Sequence, residues 1–168
     1  NDGLAYAGQA HQFIPGDYDS PPTSYFWQQP TGQHVAAMSL HLNANQSLTA
    51  AQRTSYTATR DTFTNAIEGS YVRRGSGYGV HRLFYSVLAM VSAGRTTANN
   101  ANTLAMVNRI LALKPAGVTG WSDPENGVGA ANPVSTGEAL YGLCLAGVRL
   151  DQYPEVKNAL DWLVSQQL

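Results

Sequence analysis

VHRLFYSVLAMVSAG, residues 80–94, is the stretch on which the fold turns. Val80, Leu83, Phe84, Val87, Leu88 and Val91 recur at spacings of three and four, the period of one α-helical face, and Gly94 supplies the residue that ends such a helix in a left-handed conformation. Gly75, Gly77 and Gly79 interrupt the chain just before it. Beyond Arg95 the pattern resumes to Leu113, with Leu104, Val107, Ile110 and Leu111 directed inward and Pro115 stopping the run. Two apolar helices joined by a glycine turn predict an antiparallel hairpin.

The same reading extends outward in both directions. Upstream, Val35, Met38 and Leu42 predict a helix from His34 to about Asn43, and Asn43, Asn45 and Ser47 make a turn. Thr49 with Gln52 three residues on forms a capping box for a helix from Ala50 to Glu68, whose apolar face carries Tyr56, Phe63 and Ile67 and which Gly69 ends. The first hairpin thus spans about 34–69. Downstream, residues 115–133 form a long loop rich in Gly, Pro and Asn, the kind of connection that often carries function. Ser135 or Thr136 then caps a helix bearing Leu140, Leu143, Cys144 and Gly147, and Pro154 opens a final helix with Val156, Leu160, Leu163 and Val164 on one side. The expected fold is all-α, three antiparallel hairpins over 34–168.

Residues 1–33 are a different material. Pro15, Pro21, Pro22 and Pro30 forbid a long helix, yet Tyr6, Phe13, Tyr18, Tyr25, Phe26 and Trp27 are too much aromatic surface for a free tail. An irregular arm that packs on the helices or on a partner is expected.

Composition excludes several classes of function. With ten Lys plus Arg against eleven Asp plus Glu and a net charge of −1, there is no electrostatic footprint for nucleic acid or for an anionic membrane. Charged residues are only 12% of the chain, about half the usual share, so the surface is polar but largely uncharged, as is common outside the cytoplasm. An extracellular or periplasmic location is expected, and Asn1 as the first residue suits a mature or trimmed chain. One cysteine, Cys144, allows no internal disulfide and no structural zinc site of the Cys type; its helical spacing from Leu140 and Gly147 predicts an inert core position. No apolar run is long enough to span a membrane. Asn45-Gln46-Ser47 meets the N-glycosylation pattern within a turn.

The second and third hairpins repeat one another weakly, with a period of roughly 55 residues. The run Ser135-Thr136-Gly137-Glu138-Ala139-Leu140-Tyr141-Gly142-Leu143, then Ala146-Gly147 and Ala159 to Gln167, resembles the repeat of prenyltransferases and squalene cyclases. Thr119-Gly120-Trp121 echoes the Gly-Trp turn of that repeat. The resemblance covers about 50 residues, extends to the second hairpin and leaves out the arm. It implies an α/α-toroid-like array, of which three hairpins are half a ring at most. The acid motif Asp-x-Asp-Asp of the cyclases is missing, the nearest string being Asp17-Tyr18-Asp19 in the arm, and the zinc ligands of the protein prenyltransferases find no counterpart.

Candidate ligand contacts are Trp27, Tyr78, His81, Trp121, Asp123, Glu125 and Glu138. The aromatic rings, with Tyr25, Phe26, Tyr71 and Tyr85, suit stacking on a sugar or a flat apolar ligand, and equally suit core packing. Asp123, Glu125 and Glu138 gather around the long loop, where two carboxylates converging within about 5–10 Å would do acid-base work and where a turn is the plainer role. His81 beside Arg82 opens the most apolar helix. His34 and His41, seven apart, share a face but stand too far apart to hold one metal comfortably. No catalytic motif is recognisable, and neither a metal nor a cofactor is expected. The expectation is a non-catalytic module that binds another subunit or copies of itself, with a small molecule or glycan as a possible ligand. The alternative is a toroid-type enzyme, terpenoid-cyclase-like or a carbohydrate-active lyase or hydrolase.

Overall fold

A computed structural model describes residues 28–114, 116–122 and 129–166. Among these the chain is all-α, with α1 at Gln28–Ala44, α2 at Ala50–Arg74, α3 at Val80–Ser92, α4 at Ala101–Ala112, α5 at Pro133–Leu145 and α6 at Pro154–Ser165. Two short 3-10 turns, Gly75–Gly77 and Leu150–Gln152, bend the chain between helices. The first helices of the three hairpins stand in a row, α1 against α3 and α3 against α5, while α2, α4 and α6 back them. No described helix is long and apolar enough to cross a membrane.

Small residues set the spacing of that row. A Cβ on Gly32 of α1 would lie 2.5 Å from the Tyr85 carbonyl oxygen of α3, and one on Gly142 of α5 would touch Phe84 at 3.4 Å, so both glycines let backbones approach. Ser86, fully buried in α3, returns its hydroxyl to the Arg82 carbonyl at 2.7 Å and so costs no orphaned polar group. Around this row lie two apolar clusters. Val35, Met38, Phe63, Ile67 and Ala89 join the first hairpin to α3, and a larger one built on Leu83, Val87, Met90, Met106, Ile110, Trp121, Leu143 and Val156 joins the second and third.

The repeat is sharper in structure than in sequence. Pro133 of α5 stands 53 residues after Val80 of α3, Pro154 of α6 stands 53 after Ala101 of α4, and the paired helices have equal lengths, 13 and 12 residues. The helix-ending device repeats at the same interval. Gly94 (φ 83°) and Gly147 (φ 80°) each sit in the left-handed region, with Arg95 N–H donating to Met90 O at 2.8 Å and Val148 N–H to Leu143 O at 2.9 Å.

Boundaries differ from the expected ones for identifiable reasons. α1 begins at Gln28 and not at His34, so residues 28–33 leave the arm: Pro30 occupies the first turn, where a missing N–H breaks no helical bond. α2 runs through Gly69 to Arg74, because Ser70 still has a buried partner in Tyr78 at 2.6 Å and one internal glycine costs only about 1 kcal/mol. Thr49 does make the capping box with Gln52. α4 begins at Ala101, capped by Asn100, after a turn over 96–99. Asn132 caps α5 through Ser135 N–H at 2.8 Å, with Pro133 at the first helical position, so neither Ser135 nor Thr136 is the cap. Cys144 is exposed and not core.

Candidate functional site

Glu138 and His81 meet across the α3–α5 contact. The two helices run side by side in the same direction, so His81 in the first turn of α3 lies opposite Glu138 in the second turn of α5, with Nδ1 to Oε1 at 2.8 Å. Neither is sealed: the imidazole side chain is 31% exposed and the carboxylate 15%. A carboxylate on Nδ1 fixes the plane of the ring, an arrangement that suits acid-base chemistry or hydrogen bonding to a ligand. The same contact also ties the two helices together.

Aromatic rings continue from this pair. Tyr85, one turn along α3 from His81, meets the imidazole edge to face at 4.9 Å. Phe84 lies 4.6 Å from Tyr85 and 5.7 Å from Tyr141 of α5. Burial and the neighbouring Glu138 charge raise the Tyr85 hydroxyl pKa above its ordinary range, against the opposing hydrogen bond from Gln29 of α1. The row therefore runs from the hydrogen-bonded His81–Glu138 pair to Tyr141, which is 55% exposed beside Val134 at 69%. Val134, Glu138 and Tyr141 are spaced four and three apart on one stripe of α5.

Two of the other sequence candidates are buried. Trp121 is fully enclosed; its indole N–H donates to the Ile110 carbonyl at 2.8 Å, and its backbone N–H donates to Thr136 Oγ1 at 3.0 Å. A Cβ on Gly120 would collide with that same Thr136 hydroxyl, so Gly120-Trp121 is the plug that seats the loop on α5. Tyr78 is enclosed too, its hydroxyl paired with Ser70 and its ring under the Arg82 guanidinium at 5.4 Å. Trp27, Asp123 and Glu125 lie outside the described residues, as do Asp17, Asp19 and the rest of the aromatic arm. His41 packs edge to face on Tyr56 at 5.9 Å and reaches Asn45 at 3.5 Å, while His34 is on the surface. Asn45 accepts from Ser47 N–H at 3.0 Å and Ser47 Oγ at 2.7 Å, as an Asx turn does. Among the described residues no three His, Cys, Asp or Glu side chains gather as they would around a metal ion.

Phe84, Val134 and Tyr141 were not among the candidate contacts read from sequence. The signal that finds them is the alignment of α5 on α3 at the 53-residue interval. Leu83, Val87 and Met90 fall on Thr136, Leu140 and Leu143, buried in both helices. Val80, Leu88 and Val91, buried or half-buried in α3, fall on Pro133, Tyr141 and Cys144, all exposed. No family model, no curated protein and no solved structure matches the chain.

Proposed function

We propose that the chain is a non-catalytic, extracytoplasmic helical-repeat module, comparable to half an α/α toroid, that works by binding and assembly. One observation carries the reading. α3 is packed on both sides, whereas its repeat-mate α5 leaves Val134 (69% exposed), Tyr141 (55%) and Cys144 in water. Apolar side chains aligned on one helix face, in a surface of few charges, are the ordinary material of a protein interface, and arrays of hairpins need something to cover their ends. Low charge also supports the extracytoplasmic placement. Light scattering across a range of concentrations tests the reading: an associating species, weakened by Tyr141→Glu, is expected, and a compact monomer throughout counts against it.

The His81–Glu138 pair supports a second reading, a toroid-type enzyme acting on an isoprenoid or a glycan at the aromatic row. In that case Glu138 orients the His81 imidazole, which moves the proton, and Tyr141 offers a ring for the substrate to lie on. Assaying isoprenoid diphosphates and oligosaccharides with the native chain and with Glu138→Gln tests it: turnover that Glu138→Gln abolishes supports the reading, turnover indifferent to the substitution removes the pair from the chemistry, and no turnover on either class counts against the enzyme.

A further inference from the structure

The two ends of the helix row are bare in complementary ways. At the α5 end, Pro133 and Cys144 are exposed where their counterparts 53 residues earlier, Val80 and Val91, are buried or half-buried in α3, the helix that has α5 beside it. At the α1 end the relation runs the other way. α3 receives α1 on Tyr85, which meets Gly32, and on Ala89, which joins the Val35 and Met38 cluster. α1 begins 52 residues before α3, so the counterparts of Tyr85 and Ala89 in α1 are Gln33 and Ala37. Both are exposed, and Leu40, one turn further on, is 69% exposed.

Each end thus shows the face that the middle helix uses to hold a neighbour, one for the helix before and one for the helix after. Resting on the assembly reading above, we infer that the occupant of the α5 edge is the α1 edge of a second copy of this chain. A head-to-tail contact between α5 and the next copy's first helix repeats the α1–α3 and α3–α5 packing already present, so no new kind of surface is required. Because its two sides differ, such a contact is heterologous and propagates into a ring or a filament, not a closed pair.

Cys144, the only cysteine, makes the geometry measurable. Within one chain α1 and α5 flank α3, so at about 8–10 Å per helix spacing a cysteine at position 40 stands well beyond the roughly 4.4–6.8 Å that a disulfide spans between Cα atoms. Leu40→Cys in the otherwise native chain, oxidised at a concentration where light scattering detects association, is expected to give a ladder of disulfide-linked dimers, trimers and higher species. Dithiothreitol collapses the ladder, and Leu40→Cys combined with Cys144→Ser abolishes it. Ala37→Cys and Ala44→Cys bracket the register by one turn on either side, and circular dichroism checks that each variant keeps its helix content. Efficient Cys144–Cys144 dimers in the native chain would show a two-fold α5–α5 contact and overturn the inference, leaving assembly intact. Association with no ladder from any of the three variants overturns it likewise. A monomer at every concentration overturns this inference and the self-assembly on which it rests.

Discussion

α3 and α5 are the same helix twice, built with equal length, a non-helical cap residue at the start and a left-handed glycine just past the end, yet they live in different surroundings. α3 has a neighbour on each side and buries Val80, Phe84 and Tyr85 as well as its backing face. α5 buries only the half that meets α3, α4 and α6, and its remaining surface carries Val134, Tyr141 and Cys144 into solvent. The difference teaches that burial in this molecule follows position in the row, and that an apolar residue on the last helix is evidence about a neighbour.

Substitutions at matched positions put the comparison at risk, beginning with the shared face. Met90→Ala and Leu143→Ala empty equivalent, fully buried sites and are each expected to cost about 2–5 kcal/mol in urea unfolding. Similar losses with one common transition support a single cooperative array; two separated transitions for Leu143→Ala alone would show that the last hairpin melts by itself. Next come the glycines of the row. Gly32→Ala places a methyl 2.5 Å from the Tyr85 carbonyl and is expected to destabilise by about 1–3 kcal/mol. Gly137→Ala, half-buried beside α6, has its nearest neighbour, Leu163 Cδ2, at 3.9 Å and is expected to stabilise by about 0.5–1 kcal/mol through helix propensity. Equal signs at the two sites would erase the distinction between a glycine that seats a neighbouring backbone and one with room for a methyl.

A smaller effect tests what holds the first hairpin to the middle one. Burial raises the Glu68 pKa, but hydrogen bonds from Asn100 (2.9 Å) and Asn102 (2.7 Å) and the ion pair with Arg95 outweigh it and hold the carboxyl below its ordinary 4.5. With the folded value depressed, the contribution is complete above about pH 4.5 and is lost as pH falls through the lower folded value. Glu68→Gln is expected to flatten that part of the acid denaturation curve, by no more than about 1 kcal/mol given the solvent around the site. Smallest of all, Tyr141→Ala is expected to leave monomer stability within about 0.5 kcal/mol while reducing association, because the ring is largely in water until a partner arrives.

The helix count, the glycine stop after α3, the Thr49 capping box and the Pro154 start were legible because each depends on local backbone chemistry, whereas Gly147, read from sequence as part of the α5 helix, lies past its end. The start of α1 and the end of α2 were not. Pro30 is a breaker or a first-turn residue depending on where the helix begins, and Gly69 is a stop or a passenger depending on whether Ser70 and Tyr71 have something to pack on. Of the site, His81 and Glu138 were visible as residues of a useful type, and Glu138 was placed near the loop, but their meeting across 57 positions was not, since it requires knowing that α3 and α5 are parallel neighbours. Trp121 and Tyr78 look like binding aromatics in sequence and are enclosed in structure, because an aromatic ring's role depends on what surrounds it.

The three hairpins were determined by the sequence alone, through the 3.6-residue apolar period and the glycines and prolines that interrupt it, which act over a few residues of chain. Tertiary structure decided which of those apolar faces are covered. Burial is a property of neighbours distant in sequence, so Leu140 and Tyr141, adjacent in the chain, end on opposite sides of that division, one sealed in the core and one exposed on the edge of the row.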